Sequence, residues 1–279
     1  MHNMYNDISF STSKMITSCY STSFSVAVSF LSKDIRDAIY SIYGFVRLAD
    51  EIVDTFHEYD KEMLLKNFER DYYEALNNKL SLNPALNSFQ LTVRKYNIED
   101  ELIQAFLKSM NTDLYKKEHA TPDEINEYIY GSAEVVGLMC LRVFVGGDDK
   151  LYEELKQPAR KLGAAFQKVN FLRDLKNDME YLDRKYFHNT VNTGFDENSK
   201  LEIIKDISED FNFSLQGMKK LPENSKLGVL IAYYYYRRLL YKIRRIPAKK
   251  LLEKRIRVST PMKIFLLLKA VAVLKLKLF

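Results

Sequence analysis

Residues 43–54 read Tyr43-Gly44-Phe45-Val46-Arg47-Leu48-Ala49-Asp50-Glu51-Ile52-Val53-Asp54, and this stretch decides the fold. From Asp34 to Phe56, apolar side chains return at Ile35, Ile39, Ile42, Tyr43, Val46 and Ile52, the three-and-four rhythm of a helix with one buried face. Ser32, followed by Asp34 and Asp37, supplies the start of that helix. Asp50 and Asp54 stand one turn apart on one face, with Arg47 a turn earlier. Like charges at this spacing cost a helix roughly 0.2–0.5 kcal/mol. A hard divalent cation would offset that cost, and carboxylate oxygens are the donors magnesium prefers.

The helical rhythm continues outward. Residues 61–79 repeat it through Leu64, Leu65, Phe68, Tyr72 and Leu76, and Asn83-Pro84 interrupts the chain. Thr121-Pro122-Asp123-Glu124 predicts a helix N-terminus, with proline in the first turn and acids behind it. That helix should run to about Val145 and stop at Gly146-Gly147. The next should run from Lys150 to Tyr181, with Pro158 marking its true start or a kink. Asn192-Thr193-Gly194-Phe195-Asp196 reads as a loop, and helices follow over 198–218 and 224–245. Only nine glycines and six prolines punctuate 279 residues, and no alternating strand pattern, repeat or Pro-rich linker interrupts them. The expectation is an all-α chain forming one domain over residues 1–279.

Two more aspartate pairs share the spacing. Asp174 and Asp178 follow Gln167, Asn170 and Arg173 in a segment holding Gly163, Ala164 and Ala165, small residues that let helices approach or leave room for a ligand. Gln167, Asn170 and Asp174 fall on one face. Asp206 and Asp210, among Lys205, Ser208 and Glu209, read as a solvated acidic face with no metal role.

Composition bounds the function classes. At 47% hydrophobic and 28% charged residues the chain is globular rather than disordered. Cys19 and Cys140 are too few for a disulfide framework and suit no metal motif, which points to a reducing, cytoplasmic setting. Residues 1–10 lack the basic start and apolar run of a signal peptide. No uncharged apolar stretch reaches the roughly 18 residues of a membrane span. His57, His119 and His188 form no ligand spacing and read as surface or satisfied polar groups, and no Gly-rich phosphate loop or nucleophile triad is present. The net charge of +5 hides an asymmetry: residues 219–279 hold 17 basic side chains against two acids, Glu223 and Glu253. Such an end calls for an anionic partner. Nucleic acid is not expected, because the rest of the chain is acidic and no reader motif is present.

Here the residues reach a known family. Tyr43 to Asp54 matches Tyr-x-x-x-Arg-x-x-Asp-x-x-x-Asp, and Gln167 to Asp178 matches Gln-x-x-Asn-x-x-Arg-Asp-x-x-x-Asp; the chain resembles the squalene/phytoene synthases, the head-to-head prenyl transferases. Tyr128-Ile129-Tyr130-Gly131-Ser132-Ala133 resembles the family's central tyrosine-rich helix, and Ser21-Thr22-Ser23-Phe24-Ser25 its N-terminal Ser-Phe-Ser segment. The resemblance covers about residues 14–265. Glu134 departs from the usual glycine and Thr22 from the lysine of some relatives, while Tyr236 and Arg255-Ile256-Arg257-Val258 match more loosely.

The resemblance implies a helical bundle of the isoprenoid synthase type around a central cavity. It implies joining two identical prenyl diphosphates through a cyclopropyl diphosphate to a linear hydrocarbon. Asp50, Asp54, Asp174 and Asp178 would hold Mg²⁺, with Mn²⁺ as a substitute. Arg47 and Arg173 would contact diphosphate or brace the carboxylates, and Arg255 and Lys263 would reach phosphate from the basic end. Gln167 and Asn170 would orient diphosphate or a metal-bound water, Ser21 and Tyr236 would contact substrate, and the aromatic faces of Phe24, Tyr43 and Tyr130 would shield a carbocation. Asp-Glu-Ile-Val-Asp in the first motif, and a short chain without a C-terminal span, look most like a bacterial phytoene synthase using two C20 units without NADPH. Squalene or dehydrosqualene synthesis from C15 units is the alternative, and a non-catalytic membrane-associated relative another. Residues 264–279, apolar with interspersed lysines, read as a terminal helix on the core or as a peripheral contact with an anionic membrane.

Overall fold

The structure is a computed structural model that describes residues 3–116, 121–180 and 195–278, with the side chains of 177–180 excepted. In chain order it comprises α1 (Met4–Tyr20), α2 (Thr22–Ser29), α3 (Lys33–Asp54), α4 (Lys61–Asn78), α5 (Pro84–Tyr96) and α6 (Asp100–Tyr115). Then α7 (Pro122–Ile129) passes through one π-helical turn, Tyr130–Glu134, into α8 (Val135–Val145). The chain continues as α9 (Asp149–Glu180), α10 (Glu197–Lys220), α11 (Glu223–Arg245), α12 (Ala248–Leu251) and α13 (Thr260–Lys275). No strand occurs among the described residues.

The expected punctuation acts where the sequence put it. Thr121 and Glu124 form a reciprocal capping box on α7. Helix α8 ends at Val145, with Gly146 and Gly147 at φ +59° and +97°, a conformation L-residues adopt at a steric cost. Asn83-Pro84 interrupts the chain and also starts the next helix, since the Asn83 side chain caps α5 and Pro84 occupies its first position. Pro158 lies inside α9 rather than at its start. Its ring fills a notch at Gly217 of α10, where an added Cβ would sit 2.2 Å from Pro158 Cβ. Most of the loop expected over residues 192–196 lies outside the described residues, as do His119 and His188.

Helix α1 was not signalled by apolar periodicity, because its buried face is made of hydroxyls. Ser9, Ser13 and Thr17 are fully buried. Ser9 and Thr17 donate back to the carbonyls of Tyr5 and Ser13, each at 2.8 Å, and Ser13 Oγ meets Ser88 Oγ of α5 at 2.8 Å. Hydroxyls satisfied in this way can be buried at little cost. Beside this seam α3 turns a second face into an aromatic core. Phe45 is fully buried, stacked on Phe89 at 4.0 Å and flanked by Phe68, Tyr72 and Phe106 within 5.7 Å. Aromatic pairs at such distances add about 0.5–1.5 kcal/mol each beyond area burial. Helix α3 is thereby clamped among α4, α5 and α6, and its opposite face is left for the cavity.

The segment Pro122–Val145 is long and apolar enough to cross a membrane by length and composition, but half of it is buried among its neighbours, as a core helix is. Helix α13 packs on α11 yet buries only Leu266 and Ala270.

Candidate active site

Helices α2, α3, α7–α8, α9, α10 and α11 surround a cavity of about 730 Å³, inside the 300–1,000 Å³ range of small-molecule sites. Its chemistry changes along its length. On α9 the lining is apolar from Leu155 through Pro158, Leu162 and Phe166, then polar through Gln167, Asn170, Arg173 and Asp174. Helix α3 repeats the change, with Ile39, Tyr43 and Val46 giving way to Arg47, Asp50 and Asp54. The reason is local: the three-and-four spacing holds one face toward the cavity, and residue type along that face follows position along the helix. Both polar stretches lie toward helix C-termini, Asp54 being the last residue of α3. The partial negative charge of a C-terminus adds to the carboxylates and favours cations there.

The guanidinium groups brace this end. Arg47 reaches Asp50 at 3.2 Å, also pairs with Glu51, and lies 4.3 Å above the Tyr20 ring. Burial opposes the Arg47 charge, but the Asp50 and Glu51 carboxylates outweigh it and hold the pKa above its ordinary value. Arg173 Nε donates to Asp174 at 3.0 Å. Arg255, arriving from the segment before α13, closes on the same carboxylate, Nε to Oδ1 at 2.6 Å. Asn170 Nδ2 faces Gln167 Oε1 at 3.5 Å, while Asn170 Oδ1 is buried with no hydrogen-bond partner.

The aromatic wall follows. Phe24 stacks on Tyr43 at 5.0 Å and Tyr236 on Phe166 at 4.0 Å. Burial raises the Tyr43 hydroxyl to about 12, so it stays protonated at neutral pH. Ser21 caps α2 by accepting from Phe24 N, which puts its side chain on the lining.

Several expectations need correction. Tyr130 is not on the cavity lining; its ring takes the guanidinium of Arg160 at 5.1 Å, and Arg160 pairs with Glu134 at 2.6 Å. The tyrosine on the wall is Tyr128, whose hydroxyl donates to Asp113 Oδ2 at 2.8 Å. The two tyrosines stand about 200° apart around the helix, so only one of them can face in; a π-turn follows over Tyr130–Glu134. Asp113, on α6 outside either motif, lines the cavity with no sequence signal beyond its charge. Lys263 is not on the lining either. It stands beside Thr22, Nζ to Oγ1 at 3.5 Å. The third aspartate pair is solvated only in part: Asp206 is exposed, though it takes Lys168 at 2.5 Å, whereas Asp210 is 3% exposed and bonds Lys168 at 2.7 Å and Lys161 at 2.8 Å. These ion pairs fasten α9 to α10 directly behind Gln167 and Asn170. The Asp178 side chain lies outside the described residues.

Among the described residues no three Asp, Glu, His or Cys side chains gather into a ready-made metal cage. The donor set nevertheless suits Mg²⁺, which is commonly held by one or two carboxylates with water and substrate phosphate completing its shell. Asp50, Asp54 and Asp174 offer carboxylates to the same cavity, and the orphaned Asn170 Oδ1 is a further hard oxygen donor.

Comparison with known proteins agrees with this arrangement. A sequence profile described as Squalene/phytoene synthase matches residues 18–262. The 15-cis-phytoene synthase of Paracoccus sp. is 26% identical over 165 residues, 57% of this chain, and the alignment spans only 53% of that relative. The 4,4'-diapophytoene synthase of Staphylococcus haemolyticus is 24% identical over 247 residues, covering 81% of this chain and 84% of that relative. Among solved structures a ligand-bound dehydrosqualene synthase superposes with a TM-score of 0.83 over 97% of this chain and 98% of the other, at 22% identity. The fold is the same one.

Proposed function

The chain belongs to the squalene/phytoene synthase family, and on that footing we propose that it is a prenyl transferase joining two prenyl diphosphates head to head. The observation that carries the reading is the change of lining along α3 and α9, greasy at one end and charged at the other. An amphiphile with an anionic head and a long apolar tail fits that gradient. The lined face of α9 from Leu155 to Asp174 is roughly 28 Å long at 1.5 Å per residue, room for an extended isoprenoid tail.

In this reading Arg47, Arg173 and Arg255 meet the diphosphate, with Asp50, Asp54, Asp174 and Asp178 as the metal-holding carboxylates and Asn170 beside them. Bound Mg²⁺ would supply charge neutralisation of the leaving diphosphate. The arginines give up part of their pairing with carboxylates as the phosphate oxygens arrive. Diphosphate leaves C1 of one substrate, the double bond of the second attacks, and a proton is lost as the cyclopropane closes. Loss of the second diphosphate, rearrangement and loss of another proton yield a linear hydrocarbon with no reductant. Phe24, Tyr43, Phe166 and Tyr236 present ring faces that attract positive charge and exclude water. Tyr128, braced by Asp113, is the hydroxyl nearest in kind to a proton-handling group on that wall.

Two C20 units, giving phytoene, are the first choice of substrate. The first motif and the phytoene synthases among the relatives support it. Two C15 units, giving dehydrosqualene, are the second, favoured by the diapophytoene synthase aligned over most of its own length. Incubation of the purified protein with Mg²⁺ and either farnesyl or geranylgeranyl diphosphate, followed by identification of the hydrocarbon, separates them. Asp50→Asn or Asp174→Asn should abolish product, and chelation should do so reversibly, with Mn²⁺ restoring part. Full turnover in either variant would remove the metal assignment.

A further inference from the structure

A second hollow lies outside the site, between α10, α11 and α13, with a volume of about 370 Å³. Its floor is apolar and aromatic, made by Leu215, Tyr233, Tyr234 and Val273, and three cations stand around it: Lys219, Arg237 and Lys269. Lys269 Nζ lies 4.8 Å over the Tyr234 ring and the Arg237 guanidinium 5.9 Å from that of Tyr233. None of the three forms an ion pair among the described residues, whereas the neighbouring Lys220 and Lys226 pair with Glu154 and Glu223. Three uncompensated charges converging on one groove repel one another, and an anion relieves that repulsion.

The groove borders the exposed side of α13. That helix has apolar residues all round its circumference, and Ile264, Phe265 and Leu268, with Leu276 at its C-cap, are each more than half exposed. Phe265, Leu268 and Leu276, with Ala272 between them, follow the spacing of one helical face. Lys263, Lys269, Lys275 and Lys277 are interspersed. A contiguous apolar surface of this kind marks an interaction site. A second copy of the chain is a poor occupant, because a two-fold contact would set the same lysines against themselves. An anionic bilayer complements both features, acyl chains meeting the apolar face and phosphate meeting the cations.

We propose that Lys219, Arg237 and Lys269 form a headgroup site for an anionic phospholipid, through which α13 docks the protein on a membrane surface. The proposal does not depend on the reaction above. The test is co-sedimentation of the full chain with phosphatidylcholine vesicles with and without phosphatidylglycerol. Wild-type protein should bind the phosphatidylglycerol vesicles and ignore the neutral ones. The triple variant Lys219→Gln, Arg237→Gln, Lys269→Gln should bind about a hundredfold more weakly, taking about fivefold for each cation near an anionic surface. The charge-matched control Lys14→Gln, Lys95→Gln, Lys150→Gln changes exposed lysines elsewhere and should bind nearly as wild type. Leu268→Gln, which leaves every charge in place, should also weaken binding. Equal losses in the triple variant and the control would mean diffuse attraction and overturn the site. Equal binding to neutral vesicles would overturn it too, as would saturable binding of inorganic phosphate, read by calorimetry, with no vesicle binding. If the triple variant fails to fold, Lys269→Gln and Leu268→Gln, both at exposed positions, carry the same comparison.

Discussion

Gly163 sits one helical turn before the second motif, where α9 crosses the π-turn, and replacing it with alanine tests whether that crossing sets the site. A Cβ there would lie 2.7 Å from the Ala133 carbonyl oxygen and 3.2 Å from both Ala133 C and Glu134 Cα. All three are backbone atoms, so no side chain can swing aside. Ordinary contact begins at 3.4 Å, so the helices must part by about 0.7 Å. Overpacking of this kind costs about 1–3 kcal/mol, and replacing a mid-helix glycine by alanine returns about 1 kcal/mol. The net loss is about 0–2 kcal/mol, a fall in Tm of up to about 6 °C for a chain of this size. Asn170 and Asp174 lie seven and eleven residues further along the same face and move with the helix. Since a 1 Å misplacement can cost about a hundredfold, a displacement of several tenths of an ångström should lower kcat/KM by about tenfold. Thermal unfolding followed by circular dichroism, together with product formation at several substrate concentrations, reads both effects. Gly137→Ala is the graded control, meeting one backbone oxygen at 3.0 Å, and should lose less on both counts. If Gly163→Ala unfolds at or above the wild-type temperature with kcat/KM intact, the close crossing does not position the site.

Three further outcomes follow from the contacts around the cavity. Lys168→Met should destabilise the fold by about 3 kcal/mol, the low end for breaking a buried pair because Lys161 still holds Asp210. Burial opposes the Lys168 charge, but Asp206 and Asp210 raise its pKa above the ordinary 10.5. The stabilisation is therefore complete below pH 10.5 and fades as pH climbs through the higher folded-state value, so denaturant unfolding should show wild type and Lys168→Met converging only in strong alkali. Arg255→Gln removes a pair whose arginine is 41% exposed, so Tm should barely move, while KM rises about tenfold or more for the lost charge-assisted contact with diphosphate. Tyr128→Phe strips Asp113 of a 2.8 Å donor and should lower stability by about 1.5–3 kcal/mol, with turnover falling further than the Tyr130→Phe variant's; equal losses at the two positions would undo the inward assignment of Tyr128.

Much of this arrangement was legible because it is written in helical periodicity. The face carrying Tyr43, Arg47, Asp50 and Asp54, and that carrying Gln167, Asn170 and Asp174, follow from spacing alone once each segment is helical. What stayed hidden depended on partners from elsewhere in the chain. Asp210 looks solvated in its own helix because the lysines that bury it, Lys161 and Lys168, belong to α9. Helix α1 escaped a search for apolar rhythm because hydroxyls bonded to their own backbone fill its buried face. Tyr130 was chosen over Tyr128 on the resemblance alone, which does not say which of two tyrosines on opposite sides of a helix faces the cavity. Arg255 was readable from the basic end, but Lys263 was not placed by charge, since charge does not say which side of α2 a side chain reaches.

The notch at Gly217 that receives the Pro158 ring lies at the far, greasy end of the cavity, with both residues on its wall. On the proposed reading, the limit to a tail in this cavity would be made of two helices that key into each other. Enlarging residue 217 by even a methyl drives the ring away, and trimming residue 158 leaves the glycine facing a void. A lineage that altered tail length at this point would have to change both positions together, so the two should be inherited as a unit.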